Sequence, residues 1–254
     1  MQPPISPSTG GAPSFSRPVR QVYSHYKQQD FQVWKTLFDR QIALLKPLVS
    51  QAYLEALERV RFSADRIPDF AEVDRLLAPL TGWKLKVVPN ISPQKEFFEH
   101  LANKRFTATC WLRTMEQLDY IEEPDMFHDV FAHVPLLSNK AYTDFFAGIG
   151  AIALRHIHDP VAIEKLGRLY WFTIEFGLIR EAGTLKIYGA GIISSKGETE
   201  HCLAKGPVHK PFDVATIFGT PFRTDIFQET YFIIDSFDQL EAALPEVERL
   251  LAGN

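Results

Sequence analysis

The chain has 254 residues, with 27 lysines and arginines against 31 aspartates and glutamates and a formal net charge of −4. That length buries a core without staples. The mild acidity with no basic run argues against a nucleic-acid binder, whose affinity comes from Lys and Arg neutralising phosphates. No apolar run approaches the roughly 20 residues that span a bilayer. Two cysteines, Cys110 and Cys202, are too few for a disulfide framework and point to a reducing, cytoplasmic setting. The 20 phenylalanines are less ordinary, and composition alone does not say whether they build a core or a site.

Residues 1–21 hold five of the 17 prolines, with Gly, Ser and Thr between them. Such a stretch has little to bury and predicts a disordered tail. It lacks the basic start, apolar run and cleavage site of a signal peptide. From Gln29 the pattern turns helical: Phe31, Trp34, Leu37 and Phe38 recur at spacings of three and four until Pro47 interrupts. Tyr53 to Val60 continues in that period, and Asp69 is a candidate cap for a helix over 70–77. Thr81-Gly82 reads as a turn, Trp83 to Val88 alternates like a strand, and Phe97, Phe98 and Leu101 suggest a helix. Tyr142 to Ala153 carries a helical apolar stripe, and Asp159-Pro160 opens another helix. Ala215–Phe218 and Tyr231–Ile234 read as strands, and 238–251 as one final helix. There is no internal repeat and no strand–helix alternation of the kind that builds a parallel sheet. The expected fold is a single domain over 22–254, mainly α with a few short β-strands.

His128 and His133 stand five apart. On an ideal helix five residues turn about 500°, so the rings diverge by roughly 140°. They converge only at a helix end or on a distorted turn. The spacing is not the His-Glu-x-x-His of zinc proteases. Two histidines and one carboxylate suit a ferrous site with open positions, and the candidate carboxylate is Glu175, whose neighbours are nearly all apolar. A glutamate there is costly unless paired, and a metal is an effective partner. A His-x4-His pair alone has little specificity, and a cap or ion pair for Glu175 with satisfied polar roles for the histidines is the plainer reading.

Three longer segments add specificity. Glu122 to Leu136, Leu169 to Leu178 and Tyr188 to Ser195 resemble, in this order, the pterin-dependent aromatic amino acid hydroxylases. Further similar stretches are Tyr23-Ser24-His25, Thr81-Gly82-Trp83, 97–103 and 227–232, so the resemblance runs from Val22 to Leu251. It implies the catalytic domain of that family and a phenylalanine 4-hydroxylase. That activity uses dioxygen and a tetrahydrobiopterin-type reduced pterin at ferrous iron to convert L-phenylalanine to L-tyrosine. The resemblance makes His128, His133 and Glu175 the iron ligands. It places Phe97, as a stacking platform, with Asp129 and Tyr170 on the pterin side. It assigns Arg113 to the substrate carboxylate, with Ser194 and Gly191 nearby, and Pro124, Trp171 and Phe176 around the substrate ring. An arginine holds a carboxylate by two parallel hydrogen bonds, and a flat cofactor suits an aromatic platform.

By the same resemblance, Trp171 favours a phenylalanine or tyrosine hydroxylase over a tryptophan hydroxylase, which tends to have Phe there. A tryptophan hydroxylase and a catalytically silent pterin or amino acid binder remain the alternatives. Ala132 stands where a glycine usually precedes the second histidine. Asn90-Ile91-Ser92-Pro93 and Thr224 also depart from the bacterial pattern. Animal relatives add a regulatory domain and a tetramer-forming helix, and neither has room in this chain, so a monomer is expected.

Overall fold

The structure, a computed structural model, describes residues 17–119 and 121–253. Of the tail expected over 1–21, residues 1–16 lie outside the described residues. Arg17 and Gln21 are half-buried, with residues 18–20 exposed between them. The Gln21 side chain donates to Pro68 O (2.9 Å) and to the Tyr26 hydroxyl (3.0 Å), and accepts from Phe70 N (2.8 Å).

Helices come first. α1 (Gln28–Leu45) buries Trp34, Leu37 and Phe38 of the stripe read from the sequence, together with Val33, and leaves Phe31 half-buried. α2 (Gln51–Arg59) and α3 (Phe70–Leu77) start on side-chain caps, Ser50 accepting from Tyr53 N and Asp69 from Glu72 N. Next, β1 (Lys84–Val87), α4 (Gln94–Ala102) and β2 (Arg105–Ala108) form a strand–helix–strand unit. Its strands pair in parallel, Lys84 opposite Arg105 and Val87 opposite Ala108. α5 (Lys140–Arg155) crosses α4 so closely that a Cβ on Gly150 would lie 2.6 Å from Ala102 N. α6 (Pro160–Tyr170) is capped by Asp159 and opened by Pro160, as the sequence suggests.

The remainder holds a four-stranded sheet. β3 (Leu178–Glu181) and β4 (Thr184–Ile187) make an antiparallel hairpin. α7 (Ala190–Ile193) and α8 (Lys196–His201) follow, then β5 (Val208–Pro211), α9 (Val214–Gly219), β6 (Thr230–Ile234), α10 (Phe237–Ala242) and α11 (Leu244–Leu251). The strand order is β4-β3-β6-β5, with β6 parallel to both β3 and β5. Beyond β4, Val49 bridges Ile187.

Three expectations are corrected. Parallel pairing is present, because α4 and α9 serve as crossovers that return each chain in the same direction. Ala215–Phe218 is not a strand but the body of α9, started by the Asp213 side chain accepting from Thr216 N (2.7 Å). The last helix is two: α10 ends at Ala242, and Pro245 sits in the first turn of α11. A proline there lacks the N–H that an uninterrupted helix needs. The mainly α architecture with short strands stands, around one continuous apolar core from Val33 to Val247.

A candidate metal centre on two widened helical turns

The histidine pair lies on Phe127–His133, a π-helical segment, and Glu175 ends a second one, Trp171–Glu175. An i→i+5 turn brings a residue five positions on back to nearly the same face, which an α-helix does not. In the second segment Phe176 N donates to Trp171 O (2.9 Å), the five-residue bond itself. Widening leaves carbonyls to be satisfied by side chains. The Tyr53 hydroxyl donates to Phe131 O (2.7 Å), and the Thr173 hydroxyl to Leu169 O (2.6 Å). Phe127 and Phe131, stacked at 4.6 Å, anchor the first segment against Trp34, Phe38 and Tyr53.

The three donor atoms converge. His128 Nε2 and His133 Nε2 are 3.3 Å apart, Glu175 Oε1 is 3.2 Å from His133 Nε2, and Oε2 is 3.7 Å from His128 Nε2. Ligands bonded at about 2.1 Å and at right angles lie roughly 3 Å apart, the facial arrangement of two histidines and a carboxylate. The tautomer of His128 follows from its partner. Ser194 Oγ gives its single proton to Ala190 O (3.0 Å), so at 2.8 Å it accepts from His128 Nδ1–H, and Nε2 keeps its lone pair. His133 is almost wholly buried against the Phe106 ring, and its Nδ1 has no partner among the described residues.

Protonation suits a cation. Burial would raise the Glu175 carboxyl, but the two histidines and the Tyr170 hydroxyl outweigh it and hold the group down at about 2. Burial presses His128 down to about 4. At neutral pH an ionised carboxylate therefore faces a neutral imidazole, the forms in which both bind metal.

The other expected residues are arranged around this point. Asp129 is buried behind the pair, its carboxyl pushed up to about 7 by burial against the lowering effect of Thr109, whose N and Oγ1 both donate to it (2.7 and 2.9 Å). Phe97, half-buried on α4, packs edge-on to Tyr170 at 5.4 Å, and Tyr170 stacks on Phe146. Arg113 is no surface ion pair. Its Nε and one terminal nitrogen hold both oxygens of fully buried Asp125 (2.9 and 2.8 Å), and Asp125 also accepts from His128 N (3.3 Å). Pro124, half-buried, immediately precedes that aspartate. Trp171 lies against Phe176 (4.6 Å), and a Cβ on Gly191 would come within 2.8 Å of the Phe176 ring.

Ser194, expected near the substrate, has its hydroxyl on His128 Nδ1. Asp125, Thr109, Glu198 and Gln228 were given no role from the sequence. The contacts that tie Asp125 to Arg113, Thr109 to Asp129, Glu198 to Gln228 and Gln228 to Trp171 span 12 to 57 residues, beyond any local pattern.

Comparison with known proteins agrees with this geometry. Residues 14–251 match the family model described as biopterin-dependent aromatic amino acid hydroxylase. The chain is 46% identical over 230 residues to the phenylalanine-4-hydroxylase of Chromobacterium violaceum, covering 89% of this chain and 76% of that one. It is 44% identical to that of Ralstonia nicotianae, covering 90% and 73%. A crystal structure of the Chromobacterium violaceum enzyme with bound iron(III) and 7,8-dihydrobiopterin superposes with a TM-score of 0.87 at 44% identity, covering 94% of this chain and 87% of that one.

Proposed function

The chain belongs to the biopterin-dependent aromatic amino acid hydroxylases, and from that premise we propose how its own residues carry out the phenylalanine 4-monooxygenase reaction. It is a pterin-dependent iron monooxygenase that converts L-phenylalanine to L-tyrosine. The observation that carries this reading is the convergence of His128, His133 and Glu175 within 4.8 Å of one another. These three would hold ferrous iron on one face and leave the other open. The bound iron and reduced pterin supply dioxygen activation and electrons.

The protein's share is binding and orientation. Arg113, pinned by Asp125, points its remaining N–H groups at the substrate carboxylate. Trp171, Phe176 and Pro124 bound the space for the substrate ring, and Gly191 leaves room beside Phe176. Phe97 offers its half-buried face to the pterin ring, with Tyr170 packed against its edge and Asp129 behind the histidines. Ser194 keeps His128 in the tautomer that a metal needs.

The test is a product assay with ferrous iron and tetrahydrobiopterin across phenylalanine, tyrosine and tryptophan. Tyrosine from phenylalanine at the highest kcat/KM is expected. No product from phenylalanine with iron bound would refute the reading, and a preference for tryptophan would move it to the neighbouring activity.

A cytoplasmic monomer is the accompanying proposal. Both cysteines are buried free thiols, which suits a reducing compartment. The large exposed apolar residues, among those described, are mostly scattered singly along the chain, from Val19 through Leu80 and Val161 to Val208. A stable dimer buries at least about 1,000 Å² in one complementary patch. Sedimentation equilibrium at micromolar concentration is expected to give the 29.0 kDa mass of one chain, and a dimer or tetramer would contradict it.

A further inference from the structure

The loop between α9 and β6 lies against Trp171 through Phe222, and one buried side chain, that of Gln228, ties it to the indole nitrogen. Gln228 is 5% exposed and every polar atom it has is used. Its Oε1 accepts from Trp171 Nε1–H at 2.9 Å, and its Nε2 donates to Arg223 O (2.8 Å) and Ile226 O (3.3 Å). Its backbone N–H donates to Glu198 Oε1 (2.9 Å), and its carbonyl oxygen lies 3.1 Å from His201 Nε2. Glu198, buried on α8, receives the Tyr231 hydroxyl on its other oxygen. The indole is thus fixed at its nitrogen by a buried amide. Its two neighbouring rings are Phe222, stacked at 4.3 Å and 13°, and Phe176, tilted at 4.6 Å.

We propose that Gln228 is a positioning residue for the hydroxylation: through Oε1 it holds the Trp171 indole in one orientation, and so sets the pocket's preference for a phenyl ring over a larger one. This rests on Trp171 bordering the substrate ring. The chemistry favours it. An indole N–H is a donor only and, once buried, needs an acceptor, so the amide oxygen selects one of the two flipped orientations of the ring. Phe222 adds a flat contact on one face but does not distinguish the flips. The carboxamide ties loop and indole together, so a substrate that needs Trp171 to rotate must also open residues 223–228.

The test compares the iron-loaded parent, Gln228→Met, Trp171→Phe and the double variant on phenylalanine and tryptophan. Gln228→Met keeps length and removes both the acceptor and the loop donors. It is expected to lower the phenylalanine-to-tryptophan ratio of kcat/KM about 10-fold, mostly through a raised KM for phenylalanine, with iron content unchanged. In the Trp171→Phe background, where no indole N–H remains, the same change should move the ratio less than about 2-fold, because coupled residues are not additive. Independently of turnover, the indole ¹H–¹⁵N resonance that Trp171→Phe removes should shift upfield in Gln228→Met. Equal effects in both backgrounds, or an unmoved indole resonance, overturn the inference. If Gln228→Met fails to fold, Phe222→Leu at a 37% exposed position carries the test. There the amide still holds the indole, so the ratio is expected to stay within about 2-fold of the parent; a fall of about 10-fold would put the orientation on the ring stack instead and overturn the inference. A parent that makes no tyrosine refutes the assigned activity instead, and the indole resonance still decides whether Gln228 holds Trp171.

Discussion

Glu175→Gln is expected to lower iron affinity by more than roughly 100-fold, beyond the 10–100-fold that loss of a mere supporting partner costs, and to take tyrosine formation to background. The carboxamide has the size of the carboxylate but no charge, and a neutral set of two imidazoles and an amide no longer offsets a divalent cation. The geometry makes the loss specific. Both carboxylate oxygens face the pair, at 3.2 Å from His133 and 3.7 Å from His128, and no other carboxylate among the described residues completes a set with both histidines. His128→Ala should do the same by removing a nitrogen. Metal analysis after gel filtration, with circular dichroism as the check on folding, reads both. Stoichiometric iron and full turnover in the two variants would show that the ligands are elsewhere.

The second large effect is on stability. A Cβ on Gly189 would lie 2.5 Å from Glu175 O and Gly177 N and 2.8 Å from Glu175 C. Its three nearest atoms are all backbone, so no side-chain rotation relieves the contact. Gly189→Ala should cost at least about 3 kcal/mol, the upper range for overpacking. At 2–4 °C per kcal/mol for a chain of this size that lowers Tm by roughly 6–12 °C. Iron content should fall with it, because the displaced carbonyl belongs to a ligand residue. Gly167→Ala in α6 is the internal control. Nothing lies within 4 Å of its Cβ, and alanine in a helix gains up to about 1 kcal/mol over glycine. A Gly189→Ala protein that melts with the parent would mean that the two backbones do not approach as described.

How far these features can be read from the chain depends on their range. Apolar stripes such as Trp34, Leu37 and Phe38, and caps such as Asp69 and Asp159, are local, and they appear where the sequence places them. α9 defeats that logic. Val214, Thr216, Ile217 and Phe218 are strand-forming residues, and the helix exists because Asp213 caps it and its apolar side packs under α6. The β3–β4 hairpin is hidden for a different reason. Its two turn residues, Ala182 (φ 47°) and Gly183 (φ 80°), both lie in the left-handed region, but an alanine stands where such turns usually show asparagine or aspartate.

The site divides in the same way. Both histidines and the glutamate are visible as residues, and the five-residue spacing announces that something other than an α-helix is needed. Of the bonds that hold the π-turns, the Thr173 hydroxyl on Leu169 O is a local four-residue back-bond, whereas Tyr53 reaches Phe131 O from 78 residues away and has no local signature. Arg113 is visible, and the burial of its aspartate is not.

The four-stranded sheet has two outer strands, β4 and β5, and each end strand of an open sheet is a template on which another chain can add itself. Here the β4 side is already taken. Ile187 N donates to Leu48 O (2.9 Å), Ser50 N donates to Ile187 O (2.8 Å), and the Lys186 ammonium reaches Pro47 O (2.8 Å). The β5 side runs through Val208, His209, Lys210 and Pro211, ending on a residue with no N–H to offer and carrying a charge beside it. The sheet is short and lies next to the metal ligands, since β3 begins three residues after Glu175. Blunting both edges keeps intermolecular strand addition away from the part of the fold where a slipped register would pull the glutamate from its histidines.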